Sequence, residues 1–292
     1  MISTEKPSAL AARGIVKRFA GVTALGGVDF DLRAGEVHAL VGENGAGKST
    51  LMGVLYGLIE PDAGVLSLRG ERVRFRGCAD GMRAGIGMVF QHFLLVDRFT
   101  VADNVLLGRE PSRAGVLDRS AAREAVSSIA RRYGFALDPD ARVEELGVGA
   151  RQQVELLKVL ERDASVIILD EPTASLSPSQ ADALFAVIRR LRDEGRAVAF
   201  VSHKLREVLD VADRITVLRA GKVVGSMTVA EASVPKLATM MVGRAVELDV
   251  RRPPSGPSGP AVLDVRELEA KRDDGAEALA GVTLAARAGE IV

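Results

Sequence analysis

A single cysteine, Cys78, is all the thiol this chain has. No intramolecular disulfide can form, which suits a reducing compartment. Cys78 itself reads as an ordinary loop or core thiol. An excess of charge of one sign is also lacking: 39 Lys and Arg face 39 Asp and Glu, for a formal net charge of zero. A domain held on nucleic acid by bulk charge usually carries a basic excess, so the balance argues against a nucleic-acid partner. No run of about 18 apolar residues occurs, so no stretch reads as a membrane-spanning helix. The opening MISTEKPSAL has no basic segment followed by an apolar one, and no secretory signal is read in it.

What is present is a globular composition, 47% apolar and 27% charged over 292 residues, enough for one large α/β domain or two smaller ones. Residues 9–40 read as strands: GIVKRF, VTALGGVDFDL and EVHALV. A buried helix, LMGVLYGLI, follows, then a hairpin around Arg69-Gly70 and a buried strand, GIGMVF. From Val101 to about Asp163 apolar residues recur at helical spacing. VIILDEP and AVAFVSH read as buried strands, with SPSQADALFAVIRRLRDEG between them as a helix that starts at Ser/Pro and stops at Gly. RITVLRAGKVVGS is another hairpin. Strands alternating with helices predict a mostly parallel sheet with crossovers.

Gly42, Glu43, Asn44, Gly45, Ala46, Gly47, Lys48 and Ser49 match G-x-x-x-x-G-K-[ST] between a strand and a helix. The glycines let backbone N–H groups approach phosphate oxygens, and the helix start aims its donors at the same anion. Lys48 is expected to reach the β- and γ-phosphates, Ser49 to ligate Mg²⁺, and Thr50 to touch the α-phosphate. The strand VIILDE carries Asp170 and Glu171 at its end. Asp170 is expected to hold Mg²⁺, and Glu171 to act as general base on the attacking water.

With these motifs the sequence resembles the ATP-binding subunits of ABC transporters over nearly all of residues 9–250. The resemblance implies an α/β P-loop NTPase fold, a RecA-like core with an antiparallel β subdomain and an inserted helical signature subdomain at about residues 92–163. It implies that Gln91 touches Mg²⁺ and the transmembrane partner, that His203 contacts the γ-phosphate, and that Phe19 stacks on adenine. LGVGARQQVELLKVL lies at the place of the family's LSGGQ signature, which caps the ATP of an opposite domain, so that two domains sandwich two nucleotides. Gly147 stands where Ser is usual, Val148 where the first of two Gly is common and Ala150 where Gln is common, while Gly149 is retained. Loss of that hydroxyl predicts a weakened composite site.

Val148, VELLKVL and EPTASLSPSQ are similar to tandem ATPases of bacterial sugar and nucleoside importers, and residues 87–111 are closest to the nucleoside-type, basic membrane lipoprotein-dependent ones. Ribose-, galactose- and xylose-type importers remain alternatives. That resemblance implies transmembrane permease subunits, an extracytoplasmic solute-binding protein, and a peripheral place on the cytoplasmic face of the bacterial membrane. The competing class is a soluble tandem ATPase acting on ribosomes or another macromolecule; those use long, charged, helical linkers, whereas RRPPSGPSGP (251–260) is rich in Pro, Gly and Ser.

After that linker the chain begins to repeat itself. ALAGVTLAARAGEIV (278–292) and ALGGVDFDLRAGEVH (24–38) share eight of fifteen residues at an offset of 254. The same offset places a counterpart of Gly42 at about residue 296, beyond Val292. Residues 261–292 are therefore expected to be the truncated start of a second ABC domain, short of most of its core. Alone, the chain is expected to bind Mg-ATP and hydrolyse it slowly unless the second domain or a homodimer completes the sandwich.

Overall fold

The computed structural model describes residues 7–113, 115–244, 259–272, 275–290 and 292. Two units are resolved, at 1–246 and 247–292. The first opens with an antiparallel pair, β1 (Ser8–Phe19) and β2 (Val22–Arg33). Next come β3 (Glu36–Val41), α1 (Lys48–Tyr56), β4 (Ala63–Leu68), β5 (Glu71–Val73), α2 (Cys78–Arg83) and β6 (Ile86–Val89). Between β6 and the next buried strand lie α3 (Val101–Val105), the short pair β7 (Ser112–Arg113) and β8 (Val116–Leu117), α4 (Arg119–Tyr133) and α5 (Val148–Glu161). β9 (Val166–Asp170), α6 (Pro178–Asp193), β10 (Ala197–Val201), α7 (Leu205–Val211), β11 (Arg214–Arg219), β12 (Lys222–Thr228) and α8 (Val234–Val242) complete the first unit.

β2-β1-β4-β5 form an antiparallel sheet; β12-β11-β3-β10-β9-β6 form a second, parallel except for its edge strand β12. The parallel strands are covered on both faces, which is why they read as unbroken apolar runs. Period-2 alternation splits each strand between two cores. Ile167, Leu169, Val198 and Phe200 pack toward α5 and α6. Val166, Ile168, Ala197, Ala199 and Val201 pack toward α1 and the antiparallel sheet.

Helix ends follow local chemistry. α1 starts three residues before the apolar run LMGVLYGLI and stops before its end, because Gly57 adopts a left-handed conformation at φ 84° and caps it. α6 starts where the Ser/Pro signal places it: Ser177 and Gln180 form a reciprocal capping box, with Pro178 in the first turn. Cys78 opens α2 as a half-buried free thiol.

The second unit contains an antiparallel hairpin, β13 (Ala261–Lys271) and β14 (Glu277–Arg287). It reproduces details of β1–β2. The Gly14 N–H donates to Asp29 Oδ1, and the Glu267 N–H donates to Thr283 Oγ1 at the matching place. The Ala34 N–H donates to the Pro7 carbonyl, and the Ala288 N–H to the Pro260 carbonyl. The expected linker at 251–260 lies outside the described residues up to position 258.

Candidate functional site

Four parallel strands end on one edge of the sheet, and each hands a polar group to it. The loop 42–47 follows β3, Gln91 follows β6, Asp170 and Glu171 end β9, and His203 follows β10. Open α/β sheets place ligands outside the carboxyl ends of their strands. Here an open crevice of about 560 Å³ lies there, lined by Asn44, Gly45, Gly47, Lys48, Ser49, Thr50, Gln91, Glu171 and His203, with Ala24 and Ala174 at its margins.

Backbone geometry makes the cradle. A Cβ at Gly42 would lie 2.2 Å from the Leu218 carbonyl oxygen, so nothing larger than glycine fits. Gly47 has φ 104° and abuts the Ala24 carbonyl, so it needs both a missing side chain and left-handed freedom. No side chain caps α1, which leaves its first N–H donors for an anion. Lys48 is only 6% exposed, and its Nζ donates to the Gly42 and Glu43 carbonyls at 2.9 and 3.0 Å. Burial pulls its ammonium below the ordinary lysine range, while Glu171 and Asp170 pull it back up. The Glu43 side chain is exposed.

Asp170 is 5% exposed, and its buried Oδ1 has no hydrogen-bond partner. Burial raises its carboxyl above the usual range, against the Ser49 hydroxyl and the Lys48 charge that lower it. A buried carboxylate oxygen without a donor is costly unless a cation or water satisfies it. Asp170 beside the Ser49 hydroxyl is an all-oxygen donor set, the kind a Mg²⁺ ion takes when phosphates and water complete its shell. Among the described residues no cluster of three or more His, Cys, Asp or Glu could hold a metal without such help.

Glu171 is the hub. Its Oε1 lies 3.1 Å from His203 Nδ1, and its Oε2 accepts from Gln91 Nε2 at 3.3 Å. Its backbone is left-handed at φ 48°, a conformation that costs a non-glycine residue about 1–3 kcal/mol. The Glu171 N–H donates to the Val201 carbonyl, which ties β9 to β10 at this point. The structure thus joins Lys48, Ser49, Thr50, Gln91, Asp170, Glu171 and His203 in one region.

Phe19, Gly147 and Gly149 stand apart from the crevice lining. Phe19 ends β1, 45% exposed, with Lys17 Nζ 5.4 Å from its ring centre. Gly147 is the N-cap of α5, with extended φ −67° and no side-chain capping bond. Gly149 is buried against Gln180, which a Cβ would meet at 2.4 Å. The loop after β9 is braced by residues that the sequence reading passed over. Thr173 Oγ1 donates to Glu207, Lys204 Nζ donates to the Thr173 carbonyl at 2.9 Å, and Lys204 pairs with Glu207. The two contacts to Thr173 join residues more than thirty positions apart, and no local spacing announces them.

Comparisons with known proteins agree with this geometry. A model of the ABC transporter family matches residues 25–174. A ribose import ATP-binding protein of Rubrobacter xylanophilus is 48% identical, over 97% of this chain and 55% of its own. A glucose import ATP-binding protein of Haloferax volcanii is 46% identical, over 97% and 56%. A nucleoside import ATP-binding protein of Lactococcus lactis is 41% identical, over 95% and 55%. The chain spans about half the length of the curated relatives it matches. Among solved structures, a nucleotide-free ATP-binding cassette of an ABC transporter superposes with a TM-score of 0.71 at 25% identity, over 80% of this chain and 98% of that one. The matched region and the P-loop NTPase fold show the family: this chain belongs to the ABC transporter family, as an ATP-binding domain of it.

Proposed function

We propose that this chain binds Mg-ATP in the crevice at the strand ends and hydrolyses it to power import of a small polar solute through a membrane permease. The observation that carries the reading is Glu171, held between Gln91 and His203 beside the unpartnered Oδ1 of Asp170. Loop 42–47 and the first N–H groups of α1 bind the phosphates, and Lys48 turns from the Gly42 and Glu43 carbonyls to the β- and γ-phosphates. Ser49 and Asp170 would hold a Mg²⁺, with Gln91 as a further contact, and the ion would supply charge neutralisation to the β- and γ-phosphates. Glu171 takes the proton of the attacking water as general base, and His203 contacts the γ-phosphate. Phe19 stacks on the adenine, and Gly147 and Gly149 serve the nucleotide of an opposite domain.

The import reading draws on relatives whose printed roles are ribose, glucose and nucleoside import. It implies permease subunits, an extracytoplasmic solute-binding protein and a peripheral position on the cytoplasmic face of the membrane. Residues 261–292 are read as the opening of a second ATP-binding domain, a reading supported by the shared hydrogen bonds of β1–β2 and β13–β14. Titration of a fluorescent ATP analogue with and without Mg²⁺ tests the core of this reading. The chain should bind the analogue, more tightly with Mg²⁺, and Lys48→Ala should bind at least about tenfold more weakly, the loss of one charge-assisted contact. Equal binding by Lys48→Ala contradicts it. Recovery of the full-length protein with ribosomes instead of permease subunits contradicts the import half alone.

A further inference from the structure

Gln91 sits at the start of an irregular segment between β6 and α3, and irregular backbone needs partners for its N–H and C=O groups. Two residues of this segment have both groups taken by side chains. The Leu94 N–H donates to Glu155 Oε1 at 2.5 Å, and the Leu94 carbonyl accepts from Lys158 Nζ at 2.8 Å. Lys158 also pairs with Glu155 Oε2 at 3.1 Å, so one ion pair on α5 grips both sides of a single peptide position. Two residues further on, the Val96 N–H donates to Asn104 Oδ1 at 2.8 Å, and Asn104 Nδ2 donates back to the Val96 carbonyl at 3.1 Å. Glu155 and Asn104 are buried, at 3% and 2% exposure, whereas Leu94 and Val96 turn their own side chains to solvent. Apolar burial of those two side chains therefore does not hold the segment; the polar clamps do so, together with Leu95 packed against the core and the Phe99 N–H, which also donates to the Val96 carbonyl at 3.0 Å.

We propose that Glu155 and Lys158 are positioning residues for Gln91. By fixing Leu94 three residues downstream, they keep the Gln91 amide within reach of Glu171. Gly147 is the N-cap of α5, so the helix that carries the signature residues is also the one that grips this segment. Neither residue lines the crevice, and each acts through the backbone it holds. The nucleotide arm of the test rests on the ATP-hydrolysis reading; the exchange arm does not.

The test compares Glu155→Ala, Lys158→Met, Lys158→Arg, Gln91→Ala and the Glu155→Ala/Gln91→Ala double variant in the 292-residue chain. Amide hydrogen exchange over residues 91–96 should quicken about ten- to hundredfold in Glu155→Ala and Lys158→Met, the size of a lost hydrogen bond to a charged group. Lys158→Arg should restore protection, because it can still donate to the Leu94 carbonyl. ATP affinity should stay within about twofold of wild type while turnover falls, and the double variant should be no slower than Gln91→Ala alone. Unchanged exchange overturns the clamp. Faster exchange with additive losses of turnover, or with ATP affinity falling in step, overturns the positioning role. If wild type shows no turnover, the hydrolysis reading has failed and the exchange comparison alone decides for or against the clamp. Should Glu155→Ala fail to fold, the pair of variants at Lys158, whose side chain is 25% exposed, carries the same comparison.

Discussion

At the scale of the residue, the chain keeps one titratable group in an unusual state away from the crevice. His38 on β3 is 1% exposed. Its Nδ1–H donates to the Asp31 carbonyl at 2.7 Å, its Nε2 accepts from Thr216 Oγ1 at 2.8 Å, and its ring stacks on Phe30. Burial, reinforced by the nearby Arg214 charge, pushes its pKa down to about 3. Above the ordinary histidine value the folded and unfolded chains are both neutral at this site, and nothing is lost. Below it the unfolded chain takes a proton that the folded one refuses, so stability falls as pH falls, by ~1.4 kcal/mol per unit until about pH 3. Urea unfolding at pH 7.5 and 5.5 should show a drop for wild type that exceeds that of His38→Gln by about 1 kcal/mol. Equal drops in the two proteins would remove His38 as the cause.

Elements show which parts of the structure local sequence controls. The N-cap of α5 is Gly147, in extended backbone, and a Cβ there meets nothing within 4 Å. Gly147→Ser is therefore accommodated without strain and adds a capping oxygen. On the proposal that Gly147 serves the nucleotide of an opposite domain, the substitution should raise ATP turnover when such a domain is present, since a hydroxyl facing a phosphate is worth about 1.5–3 kcal/mol. Turnover equal to wild type would show that the signature departure is neutral. The start of α6 at Ser177, the hairpin at Arg69-Gly70 and the buried parallel strands were all legible, because each depends on residues within a few positions of one another. The same holds for Gly42–Thr50 and for Asp170-Glu171, whose spacing is itself the chemistry. Gln91 and His203 were legible only through resemblance, since a lone Gln or His at a strand end has no meaning until the sheet brings strands together. The Thr173–Lys204–Glu207 brace and the Glu155–Lys158 clamp were not legible, because tertiary contact creates them.

Whole-molecule organisation rests on the repeat. In β1–β2, Leu10, Ala12, Ile15, Leu25, Val28, Phe30 and Leu32 are buried in a core shared with α1 and β4. At matching places in β13–β14 stand Leu263, Val265, Leu268, Leu279, Val282, Leu284 and Ala286, each apolar and none fully buried. An apolar face without a core gives little protection against opening. Amides of 261–287 should exchange at least about a hundredfold faster than those of β1–β2, read by mass spectrometry on the same sample. Comparable protection would mean that the hairpin is stabilised by partners of its own. The first unit assembles its crevice from its own strands, since Lys48, Asp170, Glu171, Gln91 and His203 all come from strand ends within it. If this crevice hydrolyses ATP with Glu171 as the base, as proposed, phosphate release by Glu171→Gln beside wild type is the decisive measurement. The variant should bind ATP as wild type does and release phosphate about 10²–10⁴-fold more slowly. Release at the wild-type rate would contradict it.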